Sequence, residues 1–288
     1  MRLLRPILPL YLRVIKKISR GKGYGKLKPI RFVLKLFDKL FRADVVMVLG
    51  HKMMLPKRGF DEYSTLGVYG EFDTQTVKKY VTEGDYVVDV GAAIGYYTLI
   101  LARAVGPNGK VFAFEPKKER FDLLKKNIEL NGYHNVILEN MAVLPQSSQP
   151  LFFDTGIGGL RLTGKLSKNK IVPDITSIDL DSYFIQMNLV DRISFIKIDV
   201  DGPEMLVLKS TPLILKNSRL KVLMEWDQEA ARSCDCEPSE TINILEKNNF
   251  MILYPDYSNN QYFSVTSEQI LKLHSENVIN ILCTKDAI

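Results

Sequence analysis

From residue 86 onward the apolar positions fall into two alternating kinds of run. Short, nearly uninterrupted runs occur at "YVVDVG" (86–91), "KVFAFEP" (110–116), "NVILEN" (135–140), "RISFIKID" (192–199), "LKVLMEW" (220–226), "FMILY" (250–254) and "NVINILCT" (277–284), and they read as strands buried on both faces. Between them, "YYTLILARAVG" and "KKERFDLLKKNIELNG" carry apolar residues at helical spacing, the second ended by Asn-Gly, and shorter helices are predicted near 204–210 and 239–248. This alternation predicts an α/β protein, a Rossmann-like parallel sheet with helices on both faces. Outside the pattern, "VVMVLGHKMML" (45–55) reads as a hairpin, and "LFFDTGIGGLRLTG" (151–164) as an inserted hairpin or mobile loop.

Sheets of this kind bind ligands beyond the carboxyl ends of their strands. Those ends hold Asp89–Gly95, Glu115, Glu139–Asn140, Asp199–Glu204 and Glu225–Asp227, so each core strand stops in an acid or an amide. A strand buried in a sheet has no use for "FIKIDVDGPE" (195–204) unless its end opens onto a site. In "DVGAAIG", Gly91 and Gly95 are four apart in a strand-to-helix turn, whereas the dinucleotide pattern GxGxxG aims a pyrophosphate at the helix N-terminus. Asp89 immediately before the turn is a poor neighbour for pyrophosphate and a good one for the cationic methionine end of S-adenosylmethionine. Glu115, at the end of the next strand, suits two ribose hydroxyls. The plainer readings remain beside these: Asp89 caps the turn, and Glu115 pairs with a nearby lysine.

"VVDVGAAIGYYTLILA", "VFAFEPKKERFDLLKKNIELN" and "FIKIDVDGPEMLVLKS" resemble, in that order, the FkbM-type family of S-adenosylmethionine-dependent methyltransferases. The resemblance covers about residues 60–230. It departs from the family pattern at Ala93, usually Asn, and at Asp201, usually Glu; residues 141–175 are diverged. It implies a three-layer class I methyltransferase fold, with a mostly parallel seven-stranded sheet and an antiparallel strand near the C-terminus. It also implies that Gly91, Ala93 and Gly95 face the methionine moiety, that Thr98 bonds its carboxylate and that Glu71, in "VYGEFD", takes its amino group. Glu115 would hold the ribose, and Asn140 with Met141 would border the adenine.

Methyl transfer to a hydroxyl needs the acceptor aligned and its proton removed. Lys197 and Asp199 share a face of their strand. Asp199 is the candidate to orient or deprotonate the acceptor, assisted by Lys197, with Asp201, Glu204 and Glu225 lining the acceptor side. The alternatives are a Lys197–Asp199 ion pair, and Asp201 and Glu204 as caps of the next helix. Asp199, Asp201 and Glu225 are hard oxygen donors of the kind Mg²⁺ or Ca²⁺ takes, but without diagnostic spacing no metal is expected. Nitrogen-methylating enzymes often carry Asn/Asp-Pro-Pro-aromatic where this chain reads Asp-Val-Asp-Gly, and no cysteine ends a core strand near the site. Oxygen is therefore the expected acceptor atom. The resemblance points to a hydroxyl-bearing sugar, glycolipid or other small metabolite. An RNA methyltransferase, a dehydrogenase and a cofactor-binding protein without turnover remain alternatives.

Charge changes the picture at the N-terminus. The chain carries a net +6, yet residues 1–42 hold thirteen Lys/Arg and one acid, so the remainder is mildly acidic. "ILPLYLRVIKKIS" and "PIRFVLKLFDKLFR" read as amphipathic helices joined by "SRGKGYGK". Arg5 and Arg13 interrupt the apolar run, which is far short of the roughly 20 residues a membrane span requires. This arm either packs on the body or on a second subunit, or lies on an anionic membrane surface. Nucleic acid binding is not expected, because no recognised module accompanies the charge. The organisation expected is an arm over 1–42, a hairpin and helix over 43–80, and a methyltransferase domain over 81–288 with an insertion at about 145–175. Three cysteines and three histidines without ligand spacing suit a reducing cytoplasm and no zinc site, and the pair Cys234 and Cys236 reads as a surface feature. The expected location is cytoplasmic, peripheral on the inner membrane face if the arm binds lipid.

Overall fold

The computed structural model describes residues 45–56, 71–145, 152–153, 160–161, 175–273 and 278–286. The basic arm, with its two expected helices, lies outside these residues. The chain forms two compact units. In the first, β1 (Val45–Val48) and β2 (His51–Met54) pair antiparallel as the expected hairpin. Leu49 and Gly50 both take positive φ at its turn, as a two-residue hairpin loop matched to strand twist requires.

The second unit opens with α1 (Glu71–Tyr80), followed by β3 (Tyr86–Val90), α2 (Tyr96–Val105), β4 (Lys110–Phe114), α3 (Lys118–Leu130) and β5 (Val136–Glu139). Next come β6 (Ala142–Val143), β7 (Phe152–Phe153), β8 (Leu160–Arg161) and β9 (Ser177–Ile178). β7 and β8 pair antiparallel inside the expected insertion, most of which lies outside the described residues. The chain continues with α4 (Leu180–Gln186), β10 (Ile193–Ile198), α5 (Glu204–Lys209), β11 (Lys221–Trp226), α6 (Gln228–Ser233) and α7 (Pro238–Lys247). It ends with β12 (Met251–Asp256), β13 (Gln261–Val265), α8 (Ser267–Lys272) and β14 (Ile279–Thr284).

One sheet runs in the order β13-β12-β14-β11-β10-β3-β4-β5. β5, β4, β3, β10 and β11 are mutually parallel, and β14 enters antiparallel between β11 and β12. These are the expected seven strands with their antiparallel member. The eighth, β13, was not expected; it folds back on β12 as an edge strand with mostly exposed side chains.

Alternation along the strands sends side chains to two cores. Val88, Val90, Phe112, Phe114, Ile196, Ile198, Val222 and Met224 pack with Phe184 of α4 and Val207 of α5. Val87, Val111, Phe195 and Leu223 pack with Ile100 and Leu101 of α2 and Val77 of α1. Full burial of each such side chain contributes roughly 1.5–3 kcal/mol. Polar residues break into the second face near the strand ends: Asp89 stands in register with Lys197, and Glu225 with Asn280. The cysteines correct an expectation. Cys234 and Cys236 are buried with Met205 and Ala231, because Asp235, with φ +56, turns the chain so that both thiols point inward. Among the described residues no helix is long and apolar enough to cross a membrane.

Candidate active site

The strand order reverses between β3 and β10, so the loops leaving these two strands diverge and open a crevice. A cleft opens here, lined by Val90, Gly91, Phe114, Glu115, Lys117, Arg120, Met141, Asp199, Asp201 and Pro203 among others. Of the residues predicted for the site, Gly91, Glu115, Met141, Asp199 and Asp201 meet on this cleft.

The glycine turn is fixed by backbone crowding. A Cβ on Gly91 would stand 1.8 Å from the carbonyl oxygen of Asp199, and its φ of +83 favours glycine as well. Gly95 ends the turn with φ +98, and a Cβ there would press on Leu124 of α3. Both glycines therefore permit close packing of the chain on itself, a role distinct from cradling a ligand. Between them Ala93 takes φ +49, a left-handed conformation that Asn tolerates better than Ala.

Glu115 clamps this turn to the end of β4. Its Oε2 accepts from the Ala93 N–H at 2.9 Å and its Oε1 from the Lys117 N–H at 2.8 Å. Burial pushes its carboxyl above the usual range, opposed by those two amides and by Arg120 and Lys117. Two amides orient the carboxylate, and it lies on the wall of the cleft. Asn140 Nδ2 donates to the Glu115 and Pro116 carbonyls, which shapes the loop beside Met141.

Other predicted residues lie behind the cleft. Thr98 is fully buried and its hydroxyl donates to Asp89 Oδ2 at 2.5 Å, so that donor is spent within the protein. Burial raises the Asp89 carboxyl to about 6, against the pull of Thr98 and Lys197. Lys197 is likewise fully buried and does not line the cleft. Its Nζ donates to Asn280 Oδ1 at 2.9 Å, Asp199 Oδ2 at 3.2 Å and the Ile198 carbonyl at 3.3 Å, and lies 5.1 Å from the centre of the Tyr97 ring. Asn280 Nδ2 in turn donates to Asp73 Oδ2 at 3.0 Å. The ion pair considered as an alternative is thus present, and it holds Asp199 with its side chain still 27% exposed at the cleft. Sequence reasoning missed Asp73 and Asn280. Their one signal is a polar residue on the buried face of an otherwise apolar element.

Glu71 is exposed in the first turn of α1 and not among the residues of the cleft. Glu204 is buried, and its Oε1 accepts from the N–H groups of Gly202 and Val200, which pins the loop between β10 and α5. Glu225 is 9% exposed and makes no hydrogen bond or ion pair with any described residue. Burial, then the negative charge of Asp199, pushes its carboxyl well up. Carboxylate oxygens of Asp199, Asp201 and Glu225 lie within 4.8 Å of one another.

A reversed parallel sheet with an acid-lined crevice at its switch point is the architecture of the doubly wound nucleotide-binding folds, and it is the one expected for an S-adenosylmethionine-dependent methyltransferase. The residues fit that cofactor: an oriented, buried carboxylate for hydroxyls, apolar Val90, Phe114 and Met141 for a planar base, and carboxylates for a sulfonium. Residues 89–252 match the methyltransferase FkbM domain, more than half of the chain, and the protein belongs to that family; its cofactor is S-adenosylmethionine. Among curated relatives it is 39% identical over 56 residues to a protein-L-isoaspartate O-methyltransferase of Methanococcoides burtonii, covering 19% of this chain and 28% of that protein. It is 24% identical over 158 residues to methyltransferase sdnD of Sordaria araneosa, covering 43% of this chain and 59% of that one. The chain thus spans less than a third of the first relative. Among solved structures it is similar to an O-methyltransferase of Thermotoga maritima at 16% identity and TM-score 0.42, covering 87% of this chain and 82% of that one. It is also similar to TYW2 of M. jannaschii in complex with AdoMet, at 16% identity and TM-score 0.44, covering 83% of each.

Proposed function

We propose that this protein methylates a hydroxyl oxygen of a sugar, glycolipid or other small metabolite, with Asp199 as the group that orients and deprotonates the acceptor. The observation that carries the reading is a carboxylate at the cleft whose position is set from behind by a buried ammonium, Lys197. Bound S-adenosylmethionine supplies an electrophilic methyl group on a positively charged sulfur. Glu115 would hold the ribose hydroxyls, and Met141 with Val90 and Phe114 would enclose the base. Asp199 would accept the hydroxyl proton as the oxygen attacks, a contribution of about 10²–10⁴-fold for a placed base. Lys197 is a positioning residue in this scheme, since it reaches the cleft through Asp199.

We infer that the protein works at a membrane surface from the charge of residues 1–42, which suits the anionic inner face of a membrane and an acceptor carried on lipid. Flotation of the full chain and of a chain lacking 1–42 with anionic vesicles tests it; equal flotation of both removes it.

For the reaction, the full-length protein would be incubated with methyl-labelled cofactor and free sugars, lipid-linked glycans, phenolic and polyol metabolites, protein and RNA. The expected product is an alkali-stable methyl ether, lost in Asp199→Asn while S-adenosylhomocysteine still binds. Label in RNA, or as alkali-labile ester in protein, overturns the reading.

A further inference from the structure

The geometry points to a divalent-cation site formed by Asp199, Asp201 and Glu225 at the acceptor side of the cleft, of the class that binds Mg²⁺, Mn²⁺ or Ca²⁺. The inference deepens the hydroxyl-methylation reading and rests on it for its role, though not for its test.

Each of the three residues sits at the end or just beyond the end of a neighbouring parallel strand, Asp199 and Asp201 after β10 and Glu225 in β11. Each offers a carboxylate oxygen, and the three oxygens lie within 4.8 Å of one another. Such a group is held apart by its own repulsion unless something positive stands between its members.

Among the described residues, the cations nearby do not fill that place. Lys197 directs its protons to Asn280, Asp199 and the Ile198 carbonyl. Lys117 and Arg120 act on Asp201 from the side of the cleft that carries Glu115. Glu225 is the separate observation. The residue is 9% exposed, accepts no hydrogen bond from any described residue, and points an oxygen at the two aspartates. An acid enclosed to this degree, with no donor among the described residues, is completed where a cation or a ligand reaches it.

All three donors are hard oxygens with no sulfur or imidazole among them, which selects Mg²⁺, Mn²⁺ or Ca²⁺ over zinc or copper. Ions of this class take six or more oxygens, so three protein carboxylates leave positions for water or for oxygens of the acceptor. Asp199 and Asp201 both line the cleft, which places those positions on the acceptor side. A hydroxyl oxygen bound there would be held beside Asp199, which suits an acceptor carrying neighbouring hydroxyls.

The test uses the full chain freed of metal by a chelator and titrated with Mn²⁺ alone, with the free ion read by electron paramagnetic resonance. One Mn²⁺ per chain is expected, displaced by excess Mg²⁺. Asp201→Asn, an exposed position, and Glu225→Gln should each weaken it at least about tenfold, since even groups behind metal ligands are worth that much. No stoichiometric Mn²⁺, or Mn²⁺ binding that neither variant weakens, overturns the site. S-Adenosylhomocysteine calorimetry on the same samples separates the two failures. Retained cofactor binding without Mn²⁺ sinks the metal site alone, while lost cofactor binding strikes the methyltransferase reading and leaves the Mn²⁺ titration to decide the site.

Discussion

Lys197 and Asn280 are 83 residues apart in sequence and 2.9 Å apart in the structure, and through this bond Asn280 links the buried ammonium to Asp73. A fully buried lysine is tolerable because its protons and its charge are matched; the carboxylates of Asp73, Asp89 and Asp199 all feel it. Lys197→Met leaves those acids uncompensated. It is expected to destabilise the fold by about 3–5 kcal/mol in urea unfolding, as breaking a buried pair does. Asn280→Leu should cost about 1–3 kcal/mol for each group it orphans, because Lys197 and Asp73 both lose a partner. Both variants should also lower kcat more than they raise KM, since Asp199 loses its support. Unchanged kcat in folded Asn280→Leu would rule out a positioning role for the pair.

Glu115 has two separable tasks, and substitutions should divide them. Glu115→Gln keeps an oxygen for one of the two amides and loses the charge. Its expected effect is about tenfold to a hundredfold weaker S-adenosylhomocysteine binding, the worth of one charge-assisted hydrogen bond. Glu115→Ala releases the N–H groups of both Ala93 and Lys117 and should lower stability as well. Calorimetric binding and thermal unfolding on the same two variants check this. Equal affinity of Glu115→Gln and the native chain would remove Glu115 from the cofactor site.

The turn after β3 offers a sharp contrast between two glycines. At Gly91 a methyl group collides with backbone, the Asp199 carbonyl at 1.8 Å, and neither strand end can yield without breaking the sheet. Gly91→Ala is expected to cost more than about 4 kcal/mol, in the exceptional class of substitutions. Gly84 has a similar φ of +88 but open space around it, so Gly84→Ala should lose only about 1–2 kcal/mol of conformational strain. Comparison of the two unfolding midpoints tests whether collision or φ sets the requirement at Gly91.

The strands were readable because burial on both faces gives runs that need no periodicity to be seen, and because each stops in a polar residue where the sheet meets solvent. The site was readable to the same depth: Gly91, Glu115, Met141, Asp199 and Asp201 converge as strand-end logic requires. Three kinds of residue were not. β13 is exposed along most of its length, and its apolar Tyr262, Phe263 and Val265 do not form an uninterrupted run like the core strands, while α6 is a polar six-residue helix started by Asp227, whose carboxylate accepts from the Glu229 and Ala230 N–H groups. That acid, placed by sequence in the row along the cleft, serves as a cap. Asp73 and Asn280 bond across 207 residues, and no local rule reports such a contact. Lys197 and Thr98 were found as residues but not in depth, because facing the ligand edge of a sheet and being buried beneath it look alike in sequence.

Glu204 makes the pH dependence of stability calculable. Burial, reinforced by the charge of Asp199 and opposed by the Gly202 and Val200 amides, raises its carboxyl from 4.5 to about 7. Between those values the unfolded chain has released the proton while the folded chain retains it, so folding takes up a proton. Stability from this group is therefore full below pH 4.5, declines as pH rises, and is gone above pH 7. A displacement of that size corresponds to about 3 kcal/mol. Glu204→Gln keeps an oxygen to accept from the same two amides and has no proton to lose. The variant should match the native protein at pH 4.5 and exceed it by up to about 3 kcal/mol at pH 8, with the gap opening between the two. Urea unfolding across that range measures the gap directly. Parallel curves would mean that the native carboxylate ionises at its ordinary value, and that water reaches a side chain the packing of Gly202 and Val200 places out of its reach.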